Sequence, residues 1–227
     1  TFSVELIGAV VLATRFVPDY GFYGVYMAIF TAISAFCNAG FDLLGTPEHQ
    51  FPSLTAYVHD PVVNLTIMGL IIIGGLGFLV WANLHHTRKL SDMQLHTKLV
   101  LVITGVLILL GAVAFFISEY RNPKTMGDFS IPEKILASFF QSVTPRTAGF
   151  NTIDQGGMTE ISKFITVLLM FIGGSPGSTA GGIKTVTFGV VLLAVISVIR
   201  GKRDTNIFQK RISTTLIMRS MAIIVLS

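Results

Sequence analysis

Cysteine is almost missing from this 227-residue chain. With Cys37 alone, an internal disulfide and a zinc site built on several thiolates are both excluded. Charge is scarce too: Asp, Glu, Lys and Arg together make up 12% of the residues, about half the usual globular share. What is abundant is apolar surface, with 52% hydrophobic residues, 18 Phe and a mean hydropathy of +0.72. A soluble domain of this size could not bury that much, and neither a disordered segment nor a coiled coil has this composition. The net charge of +4 and pI of about 9.3 would suit a nucleic-acid surface only if the basic residues gathered on one face. They gather instead between apolar runs. The composition is that of an integral membrane protein.

A helix crossing hydrocarbon needs about 20 apolar residues. Residues 61–84 supply 24 uncharged positions, and residues 99–118 supply 20. Between Lys163 and Arg200 the one charge in 36 residues is Lys184, and a glycine-rich stretch interrupts this run near its middle. Residues 6–14 read as the tail of one helix and residues 214–227 as the start of another. The chain opens on Thr without a signal-peptide pattern, so it reads as a piece of a longer protein. The 85–98 loop carries Arg88, Lys89 and Lys98 against Asp92, and the 200–211 segment carries Arg200, Lys202, Arg203, Lys210 and Arg211 against Asp204. The 42–60 segment carries Asp42, Glu48 and Asp60 with no Lys or Arg. By the positive-inside rule the basic loops face the cytoplasm and the acidic one faces out.

Two apolar segments, 25–36 and 135–143, are too short to span: a 12-residue helix covers about 18 Å of a core about 30 Å thick. Each runs into a turn of small residues, Cys37-Asn38-Ala39-Gly40-Phe41-Asp42 and Arg146-Thr147-Ala148-Gly149-Phe150-Asn151, and a full span follows. Gly40 and Gly149 lie 109 residues apart in the same register. The chain therefore contains two copies of one unit: outer helix, re-entrant half-helix, glycine turn, inner helix. Irregular backbone survives inside a bilayer only in a protein-lined, wet cavity. A half-helix ending there directs the negative end of its dipole at the cavity. Carbonyls of Asn38, Ala39, Gly40, Thr147, Ala148 and Gly149 could replace the hydration shell of a cation. Neither turn contains an acidic residue ahead of its glycine, which argues against a carboxylate site for a divalent ion. A filter for a monovalent cation is the reading that follows.

The run Thr144-Pro145-Arg146-Thr147-Ala148-Gly149-Phe150-Asn151-Thr152, the earlier run from Ile29 through Asn38-Ala39-Gly40-Phe41, and the stretch from Gly173 to Thr185 together resemble the Trk/Ktr/HKT superfamily of potassium transporters. The likeness is greatest to the membrane subunits of bacterial Ktr systems and covers essentially the whole chain. It implies an all-α integral membrane fold of repeated outer helix–pore loop–inner helix units, like a potassium channel, in a bacterial cell membrane with the pore loops facing out. Four such repeats are implied, each with one filter glycine. Residues 1–86 then match the second repeat in part, 87–205 the complete third, and 206–227 the start of the fourth. The resemblance further implies potassium as the transported ion with sodium as a candidate activator, a dimer, surrounding lipid, and a cytoplasmic nucleotide-binding ring that controls opening. No nucleic-acid partner is implied.

Residues 173–182 hold five glycines and a proline, which no helix tolerates. The resemblance makes this an intramembrane loop obstructing the pore. The expected gate residues are Gly173, Gly174, Ser175, Gly177, Ser178, Gly181, Gly182 and Lys184, the last barring cations or anchoring the closed loop. Gly173-Gly174-Ser175-Pro176-Gly177 also fits a nucleophile elbow, but every His (49, 59, 85, 86 and 96) lies at a span end or in a loop, which speaks against a hydrolase. Residues 177–185 echo a phosphate-binding loop with Ile183 interrupting the pattern and no strand before it. A non-conducting scaffold subunit is a further alternative. Arg146 is expected to brace its loop, with Glu160, Glu133 or Asp154 as partner. Cys37 is expected to be packed, Asn38 to brace or to line the filter, and His85 and His86 to lie at the interface. Gly69, Gly74, Gly75 and Gly77 are read as close helix packing. Tyr20, Phe22, Tyr23, Tyr26 and Trp81 are read as interfacial anchors.

Overall fold

The computed structural model describes residues 1–46, 52–87, 92–201, 206–207 and 210–226. Glu48, His49, Arg88, Lys89, Lys202, Arg203 and Asp204, which enter the charge reading above, lie outside the described residues. Among the described residues the fold is all-helical apart from an isolated bridge and a two-residue antiparallel pair, β1 (Asn206–Ile207) with β2 (Lys210–Arg211).

Two units follow one another with the same order of parts. In the first, α1 (Phe2–Tyr20) turns at Gly21 into the short α2 (Tyr23–Phe36), which ends in the Gly40 turn. A return segment with a single 3-10 turn at Thr55–Tyr57 leads into α3 (Pro61–Leu76) and α4 (Phe78–His86). In the second, α5 (Leu95–Glu119) leads to the short α6 (Ile131–Val143), the Gly149 turn, α7 (Glu160–Phe171), an irregular stretch, and α8 (Thr185–Ile199). The chain closes on α9 (Thr214–Leu226). At 1.5 Å per residue, α2 and α6 are about 20 Å long, short of a crossing. Among the described residues, α5 is the one unbroken helix long and apolar enough to cross by itself.

Capping explains where the helices begin. Asp60 accepts from Val62 N (2.8 Å) and Val63 N (3.3 Å) at the start of α3, with Pro61 at its first position. Ser130 and Glu133 form a capping box on α6, and Thr159 accepts from Ser162 N at α7. The core is shared between the units: Leu12, Phe16, Met27, Phe36, Ile67 and Ile71 of the first pack with Phe140, Val143 and Phe150 of the second. The segments after the two turns meet as well. Leu54 N donates to Asn151 O, and Asn151 N to Ser53 Oγ, both at 2.9 Å.

Two boundaries differ from the sequence reading. The tail expected at 6–14 is a helix that continues through Arg15 and Asp19; Arg15 Nε meets Asp60 at 3.2 Å and Asp19 accepts from the Tyr57 hydroxyl at 2.6 Å. Both charges find partners at the end of the core, so neither stops the helix. The span expected at 61–84 is not one helix. It bends by 91° between α3 and α4 at Gly77, whose φ is 85°. Gly77 is therefore a break, approached closely by Ser175 and Pro176 of the later loop and not by a neighbouring helix, and nothing among the described residues approaches Gly69. Gly74 does make a close approach, to the Phe36 carbonyl that ends α2.

Candidate functional site

The two glycine turns share one backbone shape. Asn38 and Gly40 have φ of 52° and 73°; Thr147 and Gly149 have φ of 68° and 88°. L residues seldom enter this left-handed region, so its return at the same two positions marks a repeated structure. The turns also touch. A Cβ on Gly40 would lie 2.4 Å from Ala148 O and 2.9 Å from Gly149 Cα, a distance only glycine permits. A Cβ on Gly149 would lie 3.3 Å from Gly40 Cα.

Each short helix braces the turn it feeds. Ser34 Oγ donates to Phe41 O at 2.8 Å, and the Thr144 hydroxyl donates to Phe150 O. Backbone bonds tighten the helix ends: Ala39 N donates to Ser34 O (2.9 Å) and Ala148 N to Thr144 O (3.0 Å). The Asn38 amide pairs when its nitrogen faces Ala35 O (3.1 Å) and Ile71 O (3.3 Å), so Asn38 serves as a brace. A cavity of about 400 Å³ lies beside the turns, lined by Ala39, Thr147, Gly149, Asn151, Gln141 and Gln155. Gln141 and Gln155 exchange amide hydrogen bonds of 2.9 and 3.0 Å, joining α6 to the segment after its turn. Cys37, expected to be packed, is exposed.

The stretch between α7 and α8 closes on itself at its base. Ile172 and Ile183 form a parallel bridge, Gly173 N donates to Ile183 O (3.0 Å), and Thr185 N donates to Gly174 O (3.0 Å). Its tip fills the break at Gly77. Ser175 N donates to Gly75 O (3.0 Å), Phe78 N to Gly177 O (3.1 Å), and the Ser175 hydroxyl to Leu76 O. Two interrupted helices thus satisfy one another's backbone groups, which allows both breaks to persist away from water. The far side of the loop reaches the turns. Thr179 Oγ1 donates to Phe36 O (3.0 Å), and Gly181 N donates to Thr147 Oγ1 (3.0 Å). Lys184 Nζ donates to Ala180 O within the loop (2.6 Å).

Arg146 does not meet the partners expected of it. Among the described residues no carboxylate pairs with it; its Nη2 lies 3.4 Å from Thr104 Oγ1 and 3.4 Å from Gly173 O, and its Nε finds no acceptor. Glu160 pairs with Lys163 (2.9 Å) and Glu133 with His59 (2.8 Å), while Asp154 accepts from Gly156 N (2.9 Å). The side chain turned inward because α5 and the loop offer oxygens at the buried end of the turn.

The structure brings together Asn38, Ala39, Gly40, Thr147, Ala148 and Gly149, and lays 172–184 against them. Sequence reasoning missed the Gly77 break and Glu119. That carboxylate, fully buried at the end of α5, accepts from Thr125 Oγ1 (2.5 Å), Asn122 Nδ2 (2.7 Å), Thr159 N (2.9 Å) and Thr159 Oγ1 (2.8 Å). The pair Gly74-Gly75 ahead of Gly77 was the available signal for the break, since three glycines within four residues weaken a helix by about 1 kcal/mol each relative to Ala.

Short helices that each end in a left-handed glycine turn, set among broken apolar helices, give an all-α architecture of repeated units. Residues 1–226 match the family described as "TrkH: Cation transport protein", and the chain belongs to that family. It is 47% identical to the Ktr system potassium uptake protein B of Bacillus subtilis (strain 168), over 99% of this chain and 49% of that protein. It is 38% identical to the potassium/sodium uptake protein NtpJ of Enterococcus hirae, over 97% of this chain and 48% of that protein. The structure of the potassium transporter TrkH from Vibrio parahaemolyticus matches with a TM-score of 0.71 at 17% identity, over 97% of this chain and 45% of that one, a likeness of fold. The chain spans about half the length of the curated relatives it matches. These relatives carry names of transporters and not of enzymes, and Ser175, the residue of the nucleophile-like motif, spends its hydroxyl on a backbone carbonyl.

Proposed function

We propose that the protein carries potassium into the cell along a path lined by backbone carbonyls of Asn38, Ala39, Gly40, Thr147, Ala148 and Gly149. The observation that carries this reading is the pair of glycine turns, alike in φ and in contact through Gly40 and Gly149. A dehydrated potassium ion needs several carbonyl oxygens at close quarters, and such oxygens come from backbone that no side chain obstructs. The short helices α2 and α6 end at the turns, adding the negative ends of their dipoles where a cation would rest. In this reading residues 1–86 and 87–205 are two of four repeats, residues 206–227 begin the last, and the turns face outward.

The 172–184 loop is the gate. Gly173, Gly174, Ser175, Gly177, Ser178, Gly181 and Gly182 give it a backbone that closes across the path, and Lys184 holds the closed form through Ala180 O. Opening exchanges its bonds to 74–77, Phe36 and Thr147 for water. A cytoplasmic nucleotide-binding ring drives that exchange, and the working unit is a dimer in lipid. The relative named as a Ktr system protein supports a partner subunit. The relative named for potassium and sodium supports sodium as a second permeant ion or an activator.

The experiment compares wild type with Gly149→Ser in the full-length protein, in cells lacking their own potassium uptake. Wild type is expected to restore growth and Rb⁺ uptake at low potassium, with affinity or selectivity weakened in the variant. Unchanged uptake in the variant removes Gly149 from the filter, and absent uptake in wild type removes the transport reading. Sodium competition in the same cells separates a permeant from an activating role.

A further inference from the structure

Arg146 is the buried charge that the reading above leaves without a purpose. Its side chain is about 7% exposed, yet it has no carboxylate partner among the described residues. A buried guanidinium needs oxygens around it. Here those oxygens come from two places: the Thr104 hydroxyl on α5, and the carbonyl of Gly173 at the base of the 172–184 loop. The next residue, Thr147, accepts from Gly181 N near the other end of the same loop (3.0 Å). Two adjacent residues of one glycine turn therefore hold both ends of the loop. The first unit meets the loop differently, at the end of α2, where Phe36 O accepts from Thr179 Oγ1 (3.0 Å); Cys37, at the position of Arg146, is exposed, and Asn38 turns its amide toward Ala35 and Ile71.

We propose that Arg146 is a positioning residue that couples the Gly149 turn to the 172–184 loop, so that ion selection and gating move together. The coupling rests on the reading of that turn as filter and that loop as gate. If the loop swings away, Arg146 loses the Gly173 carbonyl and keeps only Thr104, which is a poor state for a buried charge. The guanidinium must then follow the loop or find another oxygen, and either motion reaches Thr147, whose backbone lies in the turn. A closed loop thereby holds the Gly149 turn in one shape, and an open loop releases it.

The test uses the full-length protein in vesicles, with Rb⁺ uptake measured without the regulatory ring and in competition with Na⁺. Arg146→Gln is expected to raise uptake about tenfold, the scale of one hydrogen bond to a charged group, and to lower discrimination between Rb⁺ and Na⁺. Both changes should vanish in a background lacking residues 174–181, because the tether then has nothing to hold. Thr104→Val, which removes the other acceptor without changing side-chain shape, leaves Arg146 the Gly173 carbonyl of the closed loop and should shift uptake the opposite way, downward, by less. It carries the comparison if the Arg146 variant does not reach the membrane. Equal effects in the intact and loop-deleted backgrounds would overturn the coupling and leave Arg146 a brace for its own turn. Absence of wild-type Rb⁺ uptake would instead overturn the transport reading beneath it.

Discussion

The Gly40 and Gly149 turns have the same backbone and different anchors. In both, left-handed residues alternate and a hydroxyl from the preceding helix braces the Phe carbonyl after the glycine. The Gly40 turn is held by its own unit through Ala35 and Ile71, with the loop between α7 and α8 meeting only the helix end before it at Phe36 O, whereas the Gly149 turn itself is tied to that loop through Arg146 and Thr147. The inner helices differ in parallel. The first breaks at one residue, Gly77, and the second opens into an irregular stretch that fills that break. The two units keep the backbone conformation of the turns, and their side chains differ where the units meet each other.

The sharpest way to break the equivalence is to add one methyl group to each turn in the full-length protein. Gly40→Ala places a Cβ against Ala148 O at 2.4 Å and forces one turn off the other. Left-handed strain and overpacking together should cost on the order of 3 kcal/mol or more, with Rb⁺ uptake abolished. Gly149→Ala meets Gly40 Cα at 3.3 Å, so its cost is mainly conformational, about 1–2 kcal/mol, with residual uptake. Thermal melts in detergent and Rb⁺ influx check both; equal losses would mean that contact between the turns does not matter. Between the two in size is Glu119→Gln, which offers an amide NH₂ to an array of donors and should destabilise by about 2–3 kcal/mol. A melt should register that loss while the ratio of Rb⁺ to Na⁺ uptake in the surviving protein stays unchanged, since Glu119 supports the return segment and not the turn.

The turns and the 173–182 break were legible because glycine leaves a backbone signature that repeats in register. The half-helices were legible by length, with boundaries within four residues of α2 and α6. Gly77 was not, because an apolar run with glycines reads equally well as a packed helix, and the difference lies in Ser175 and Gly177, about a hundred residues away. Arg146 was not, for a related reason. Sequence shows which charges exist, but the oxygens that hold this one are a backbone carbonyl and a threonine, which carry no charge to pair by eye.

The braces offer a finer comparison. Ser34→Ala and Thr144→Val each remove one hydroxyl donor to a Phe carbonyl. Each should cost about 1 kcal/mol, and the Thr144 loss should be the larger. Thr144 is buried along with Phe150, so an orphaned carbonyl there has less access to water than that of the exposed Phe41. Melts of the two variants should rank in that order, and the reverse order would mean that the Gly40 turn bears more of the load.

The smallest effect should come from the peripheral ion pair. Arg15 Nε sits 3.2 Å from Asp60 with its side chain 46% exposed, so water and salt screen much of the attraction. Arg15→Gln should cost about 0.5 kcal/mol or less, because Asp60 still caps α3 through Val62 N and Val63 N after the arginine is gone. Asp60→Asn also leaves an oxygen able to cap and should lose a little more, with the excess shrinking in high salt. A melt of the Arg15 variant that fell as far as that of Glu119→Gln would contradict this ordering. It would mean that this end of the first unit, like the Glu119 end of the second, is organised around a buried charge.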